Sequence, residues 1–440
     1  MSKQTRLFPL FLPIFLELLF VMLTGMVDTL MLATEGDHAV GAVGTANTYI
    51  SLFLIMFAVI SSGIMAVMTQ YIGAKRPGVA QQALRLGLVF NLILGLVISA
   101  ILFFGGEAIL KMVGIARDLL EPARIYLQVV GLFAVCNALT PIFSCYLRAF
   151  NRPKAPLIGT VIANLLNVAL NALFLFVMDL GVFGVALATG ISHLVNLLWV
   201  MIASRRSITR TVDPQPLRNG LIMKKIIQVG LPGAMENILY NLAITIVISL
   251  LNRMDTTGMQ ATARAYMVQI ANFSLCTGAA LAQANAILVG WRIGSCELEL
   301  CDRETRRTAL VGIGIGLIVS SAFALCSSSI LPFLTRDPEM IRLVRILLFI
   351  DILLEVGRTT NLTFGYALKT SGDATYPMII AVTFVFLIAA GGTWFFGVKL
   401  GMLVIGAGIA LALDECIRAV FMFLRWHSGR WKNKNLLNNQ

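Results

Sequence analysis

A chain of 440 residues that is 58% hydrophobic and only 13% charged carries about half the charge density of a soluble domain. That excludes a water-soluble globular fold and indicates an all-α polytopic membrane protein. Lys and Arg outnumber Asp and Glu by 34 to 22, for a formal net charge of +12, yet they stand in short clusters between apolar segments. With no long basic face or aromatic platform, they read as topology signals and exclude nucleic acid as a partner.

Twelve apolar runs are long enough to cross about 30 Å of hydrocarbon as helices. In chain order they are residues 8–33, 44–72, 82–105, 120–147, 155–178 and 183–203, then 226–252, 260–290, 308–331, 341–368, 376–398 and 402–425. Lys3 and Arg6 precede the first run as in a signal peptide, but it continues to Ala33 without a small-residue cleavage site, so a retained span is expected. Of the Lys and Arg outside the spans, 22 lie on one side, from Lys3 and Arg6 through Arg148 and Arg210 to Lys434, and 7 on the other. This bias predicts a multi-pass protein of the plasma (cell inner) membrane with both termini in the cytoplasm.

The first run sets an acid, Asp28, within Gly25-Met26-Val27-Asp28-Thr29, at a cost of about 2.5 to 3.5 kcal/mol in hydrocarbon. Two readings stand: an acid that exchanges a proton or a metal cation, or a buried acid held by hydroxyls and amides. Glu17, eleven residues earlier, lies about 20° past three full turns, so both acids share one face about 16 Å apart. Glu17 is nearer the cytoplasm, and a structural role is expected of it.

In the fifth span Asn164, Asn167 and Asn171 stack along one face. Their oxygens suit an alkali cation, their NH2 groups suit a carboxylate, and an interhelical amide ladder is the plain alternative. His193 and Arg264 stand alone in the sixth and eighth spans, and His193 is expected to be a packing residue. Asp351, Glu355 and Arg358 in the tenth span, and Asp414, Glu415 and Arg418 in the twelfth, form sets able to neutralise themselves. The twelfth-span set is expected to be structural, whereas the tenth is open between structure and function.

The connection from Ser204 to Lys225 is the most polar and divides the chain into two halves. Leu12-Pro13 followed by Glu17 recurs as Leu231-Pro232 followed by Glu236, Gly73 matches Gly294, Tyr146 matches Tyr366, and Leu180-Gly181 matches Leu400-Gly401. A nearly constant shift indicates a duplicated six-helix unit. The expected organisation is an N-lobe, 1–203, a cytoplasmic linker, 204–225, a C-lobe, 226–425, and a cytoplasmic tail, 426–440. An even number of spans makes the lobes parallel repeats about an axis along the membrane normal. Carried over by the same shift, Asp28 meets Val247, so the second lobe has no matching acid.

Seven cysteines, Cys296 and Cys301 among them, are expected to be free thiols rather than disulfides or metal ligands. Phosphate-loop, His-Glu-x-x-His and Gly-x-Ser-x-Gly motifs are absent and His totals three, which disfavours ATP-driven pumping and enzyme chemistry.

Several stretches carry a family resemblance: Gly25 to Thr29, Gln70-Tyr71-Ile72-Gly73-Ala74-Lys75, Leu147-Arg148-Ala149-Phe150-Asn151-Arg152-Pro153, Gly357-Arg358-Thr359-Thr360-Asn361, Ser371 to Pro377, Asp414 to Arg418, and Gly429-Arg430-Trp431. In this order the chain resembles the multidrug and toxic compound extrusion (MATE) family of cation-coupled efflux transporters. The resemblance implies alternating access, with H+ or Na+ entering as a cationic or amphipathic compound leaves. It also implies a cation-coupling site of Asp28, Asn167, Asn171 and Thr189, with no resident cofactor and no metal beyond a transient Na+ at Asp28. Asn171 stands where several relatives have a second Asp, which favours H+. Glu17, Glu236, Asp351, Glu355 and Arg358 are accessory or substrate candidates, and a C-lobe cation site is left open. A monomer in the bilayer is expected. The alternatives are a lipid-linked saccharide flippase of the same superfamily and an intramembrane enzyme.

Overall fold

A computed structural model describes residues 7–437, apart from 113, 210, 212 and 256 and the side chains of 37, 52 and 58. Lys3, Arg6 and Arg210 of the charge census lie outside the described residues. Every regular element among those described is helical: α1 Leu7–Leu32, α2 Asp37–Gly73, α3 Pro77–Met112, α4 Arg117–Leu132, α5 Ala134–Ala149, α6 Lys154–Ala172 and α7 Gly181–Ser207. They continue as α8 Asn219–Met254, α9 Met259–Gly294, α10 Leu298–Leu325, a four-residue α11 Ser327–Ile330, α12 Pro338–Ser371, α13 Thr375–Phe384 and α14 Leu403–His427. Both α6 and α13 run on into π-helical turns, to Val177 and to Lys399.

Helices occupy all twelve expected stretches, several beyond the bounds hydropathy gives. Among the described residues nine are long and apolar enough to cross a membrane, or ten if α4 and α5, bent by 45°, count as one. The long helices α12 and α14 fall outside that class because ionisable side chains interrupt them.

Backbone groups freed by the α4–α5 bend must be satisfied internally, since hydrocarbon offers no partner. The Ser99 hydroxyl donates to the Gly131 carbonyl at 2.7 Å, and the buried Asn91 amide donates to the Ala138 carbonyl at 2.8 Å. Phe133, at the bend, lies so close to α7 that a Cβ on Gly190 would come within 2.2 Å of its ring.

The chain divides into two compact units, Leu12–Gly230, and Leu231–Gln440 together with the residues up to Phe11. In the first unit a core of α2, α3, α4 and α7 residues includes Phe57, Leu102, Tyr126 and Val185. The connection after α7 is strapped to the start of α3 in this unit. Gln81 donates to the Thr209 carbonyl at 2.8 Å and accepts from the Thr211 N–H at 3.0 Å, while Arg76 holds Asp213 through Nε and Nη2 at 3.2 and 3.0 Å. A Cβ on Gly78 would sit 2.3 Å from the Asp213 nitrogen. The first turns of α8 also pack against α2: Lys225 donates to the Tyr71 hydroxyl at 3.0 Å, and a Cβ on Gly230 would meet the Val59 oxygen at 1.9 Å.

In the second unit one core cluster joins Met267, Leu343 and Leu347, and another gathers Val289, Phe364, Trp426 and Trp431. The segment after α14 is docked rather than loose. Trp431 stacks on Trp426 with centroids 4.1 Å apart, Trp426 donates to Asp302 at 2.7 Å, and a Cβ on Gly372 would lie 2.2 Å from the Lys434 oxygen.

Positive-φ residues end or begin corresponding helices in the two units at shifts of 220 to 222 residues: Gly36 and Gly258, Lys75 and Cys296, Asn151 and Gly372, Gly181 and Gly401. The closing hydrogen bonds recur as well. Lys75 and Arg76 bond back to Ile72 and Tyr71 as Cys296 and Glu297 bond back to Ile293 and Arg292, each a left-handed cap that satisfies the last carbonyls of a helix.

Two predictions follow from these contacts. The hydrogen bonds from Arg76 hold the Asp213 carboxyl below the usual carboxylate range, so the strap's contribution is full above about pH 4 and lost as pH falls through the depressed value. Limited proteolysis in detergent should find the connection protected from pH 5 to 8 in the parent protein, and cut across that range in Asp213→Asn. In α14, Arg418 is 4% exposed between Asp414 and Glu415, each 2.7 Å away. Arg418→Met would strand two buried carboxylates at a cost of about 3 to 5 kcal/mol, read as loss of the monodisperse protein on heating at temperatures the parent survives.

Candidate functional site

Asp28 enters the first unit from α1, a helix whose only ionisable residues are Glu17 and Asp28. Its Oδ1 accepts from Asn171 Nδ2 of α6 at 2.8 Å. The same Nδ2 donates to Asn167 Oδ1, one turn away, at 3.1 Å. Both asparagines are buried, and Asn171 Oδ1 is buried without a hydrogen-bond partner. Asn164, next on that face, turns to the α1 backbone instead, donating to the Phe20 carbonyl at 3.0 Å.

Thr189, on α7, donates to the Val185 carbonyl at 2.9 Å, and it and Asn47 of α2 lie near the Tyr126 hydroxyl of α4, which also feels the Asp28 charge. Five helices thus bring one carboxylate, three amides, a phenol and a hydroxyl together. Asp28, Asn167, Asn171 and Thr189 belong to this one cluster. Asn47 and Tyr126 were missed in the sequence; the signal was an amide in an apolar run and a tyrosine on the buried stripe of α4.

The amide of Asn171 gives the site two chemical settings. As oriented, its N–H groups face the Asp28 and Asn167 oxygens, which suits a bare carboxylate. Turned over, its oxygen would join those two as a third hard ligand for an alkali cation. Among the described residues no three His, Cys, Asp or Glu side chains gather as a tight metal site would need, and the seven cysteines are free.

The accessory candidates fall into two kinds. Glu17 pairs with Arg148, at the end of α5, at 2.8 Å, and Glu236 pairs with Lys369, at the end of α12, also at 2.8 Å. The two pairs occupy corresponding places in the duplicated halves. Asp351, Glu355 and Arg358 lie in the second unit in a buried network. Arg358 bonds Glu355, and Asp351 Oδ1 is buried without a partner. Nearby, Asn361 donates to Glu415 at 3.0 Å and the Arg418 guanidinium lies 5.6 Å from the Tyr240 ring centre. The network neutralises most of its charge internally and leaves Asp351 the least satisfied of its acids.

The chain is similar to the uncharacterized transporter YisQ of Bacillus subtilis, with 30% identity over 441 residues that cover 99% of this chain and 96% of that protein. It is 25% identical to the probable multidrug resistance protein NorM of Thermotoga maritima, over 99% of this chain and 95% of that one. Among solved structures, an outward-facing multidrug resistance MATE family transporter of the MOP superfamily shares the fold over 96% of this chain and 95% of its own, with a TM-score of 0.88 at 17% identity. A MATE structure in complex with MaD3S matches the same shares at a TM-score of 0.89 and 18% identity. The MatE family model matches residues 13–173 and 232–395, once in each half, and the chain belongs to this family of multi-pass membrane transporters.

Proposed function

We propose that the protein exports cationic or amphipathic small molecules by alternating access in exchange for an inward-moving cation, with Asp28 as the coupling residue. The observation that carries this reading is the hydrogen bond, at 2.8 Å, from Asn171 of α6 to Asp28 on the largely apolar α1. A carboxylate there is costly in hydrocarbon, and the loss of its charge on binding a cation supplies a reason to change state. Differential affinity of the cation for the two states then drives the exchange.

The coupling ion in this reading is H+. One carboxylate neutralised by one proton leaves a neutral cluster, whereas Na+ needs the Asn171 amide to turn and lacks a second negative charge. The frame is twelve transmembrane helices in two six-helix lobes, 1–203 and 226–425, with α12 and α14 as spans whose charges are paired inside the protein. The linker 204–225 and both termini are cytoplasmic, the membrane is the plasma membrane, and a monomer suffices. Relatives named for multidrug resistance and a MATE structure in complex with MaD3S support this substrate class.

In proteoliposomes loaded with an ethidium-like cation, efflux should follow an imposed H+ gradient, and Asp28→Asn should abolish the gradient-driven component. Unchanged efflux by that variant would overturn the reading. Asn171→Asp should shift the drive toward Na+, with a Na+ gradient supporting efflux at least several-fold better than in the parent. Growth rescue of a strain lacking its lipid-linked saccharide flippase, without drug resistance, would favour the flippase alternative instead.

A further inference from the structure

Arg264 is the one long cation of α9's outer turns, and nothing described answers its charge. It forms no ion pair and no hydrogen bond among the described residues, and its Nε is buried with no partner. The residue is half-buried. The charged or ionisable groups that act on it are the Tyr240 hydroxyl, from α8, and the Arg358 guanidinium, from α12. A second cation makes its position worse, not better. Arg358 in turn is held by Glu355, Asp414 and Glu415 are paired with Arg418, and none of the network's acids pairs with Arg264.

An arginine inside a helical membrane protein normally faces the protein interior and takes a carboxylate or backbone carbonyls as partners. Its five N–H donors form a planar fork matched to two oxygens of a carboxylate or a phosphate. Here that fork has no internal acceptor among the described residues, and its Nε is buried. We propose that Arg264 is an anion-recognition point for the transported compound, so that the preferred substrates carry a carboxylate or a similar oxyanion on an amphipathic body. This deepens the proposed export function and rests on it. It assigns a zwitterionic or acidic amphiphile where a purely cationic drug is the simpler expectation. Arg358 contributes to the positive bias without itself being free.

The test compares rhodamine B, which carries a free carboxylate, with its methyl ester, which differs only in that group. Equilibrium binding of each is measured on detergent-purified protein by fluorescence polarisation, so that the result does not depend on ion coupling. Parallel transport in proteoliposomes reports separately on the export reading. The parent protein should bind rhodamine B at least tenfold more tightly than the ester. Arg264→Gln should weaken rhodamine B tenfold or more and leave the ester within twofold, and Arg264→Lys should restore part of the preference. Equal affinities of the two dyes for the parent, or a parallel loss of both in each variant, would overturn the proposal. Discrimination in binding with no transport of either dye would leave this site standing and sink the export reading.

Discussion

A polar group in hydrocarbon has no solvent to turn to, and this constraint shapes every irregular feature of the chain. The bend between α4 and α5 is tolerated because Ser99 reaches the Gly131 carbonyl. The charges of α14 are tolerated because Arg418 sits between Asp414 and Glu415 on its own helix. Asp28 is held by a different arrangement. Its described partner is a neutral amide, which eases a negative charge without cancelling it. Paired charges cost little to keep and are hard to change, while an acid resting on an amide can gain or lose a cation at small cost. That contrast separates what holds the fold from what can work in a cycle.

Duplication supplied the scaffold, and divergence placed the chemistry. The two halves share helix caps, left-handed residues at matching points and an acid on the first helix of each half bonded to a base at the end of a later one. All of these belong to the helix ends and the frame. Where Asp28 meets its counterpart the likeness ends: Val247 is fully buried in the core of the second unit. In that unit a buried network of ionisable residues lies instead on α12 and α14. Each half therefore keeps its polar groups at its own positions, and the frame tolerates both because the caps and ion pairs that stabilise it lie elsewhere.

Much of this was legible in the residues. Hydropathy alone located the helices, because each must bury its backbone polarity within itself, and the face shared by Asn167 and Asn171 followed from a period of 3.6. The pairing of that face with Asp28 was what the family resemblance implied. Other features were not legible. Tyr126 is one of eight tyrosines in the sequence, and only the packing of α4 against α2 and α7 gives it Asn47 and Thr189 as neighbours. Glu17 looks like a companion of Asp28 by spacing, yet its true partner, Arg148, lies far along the chain. The helices α12 and α14 lie outside the class of long apolar helices for a physical reason: they carry ionisable residues, paired within the protein, along their length.

The strapped connection bears on how the protein is made. Leu12–Gly230 is an unbroken stretch, and its last fastenings, Thr211 on Gln81, Asp213 on Arg76 and Lys225 on Tyr71, all join the newest residues to helices already synthesised. During synthesis the first half can therefore close on itself before α9 leaves the ribosome. Its exposed polar turns then have partners before the second half is complete. An order of assembly is thus written into the strap.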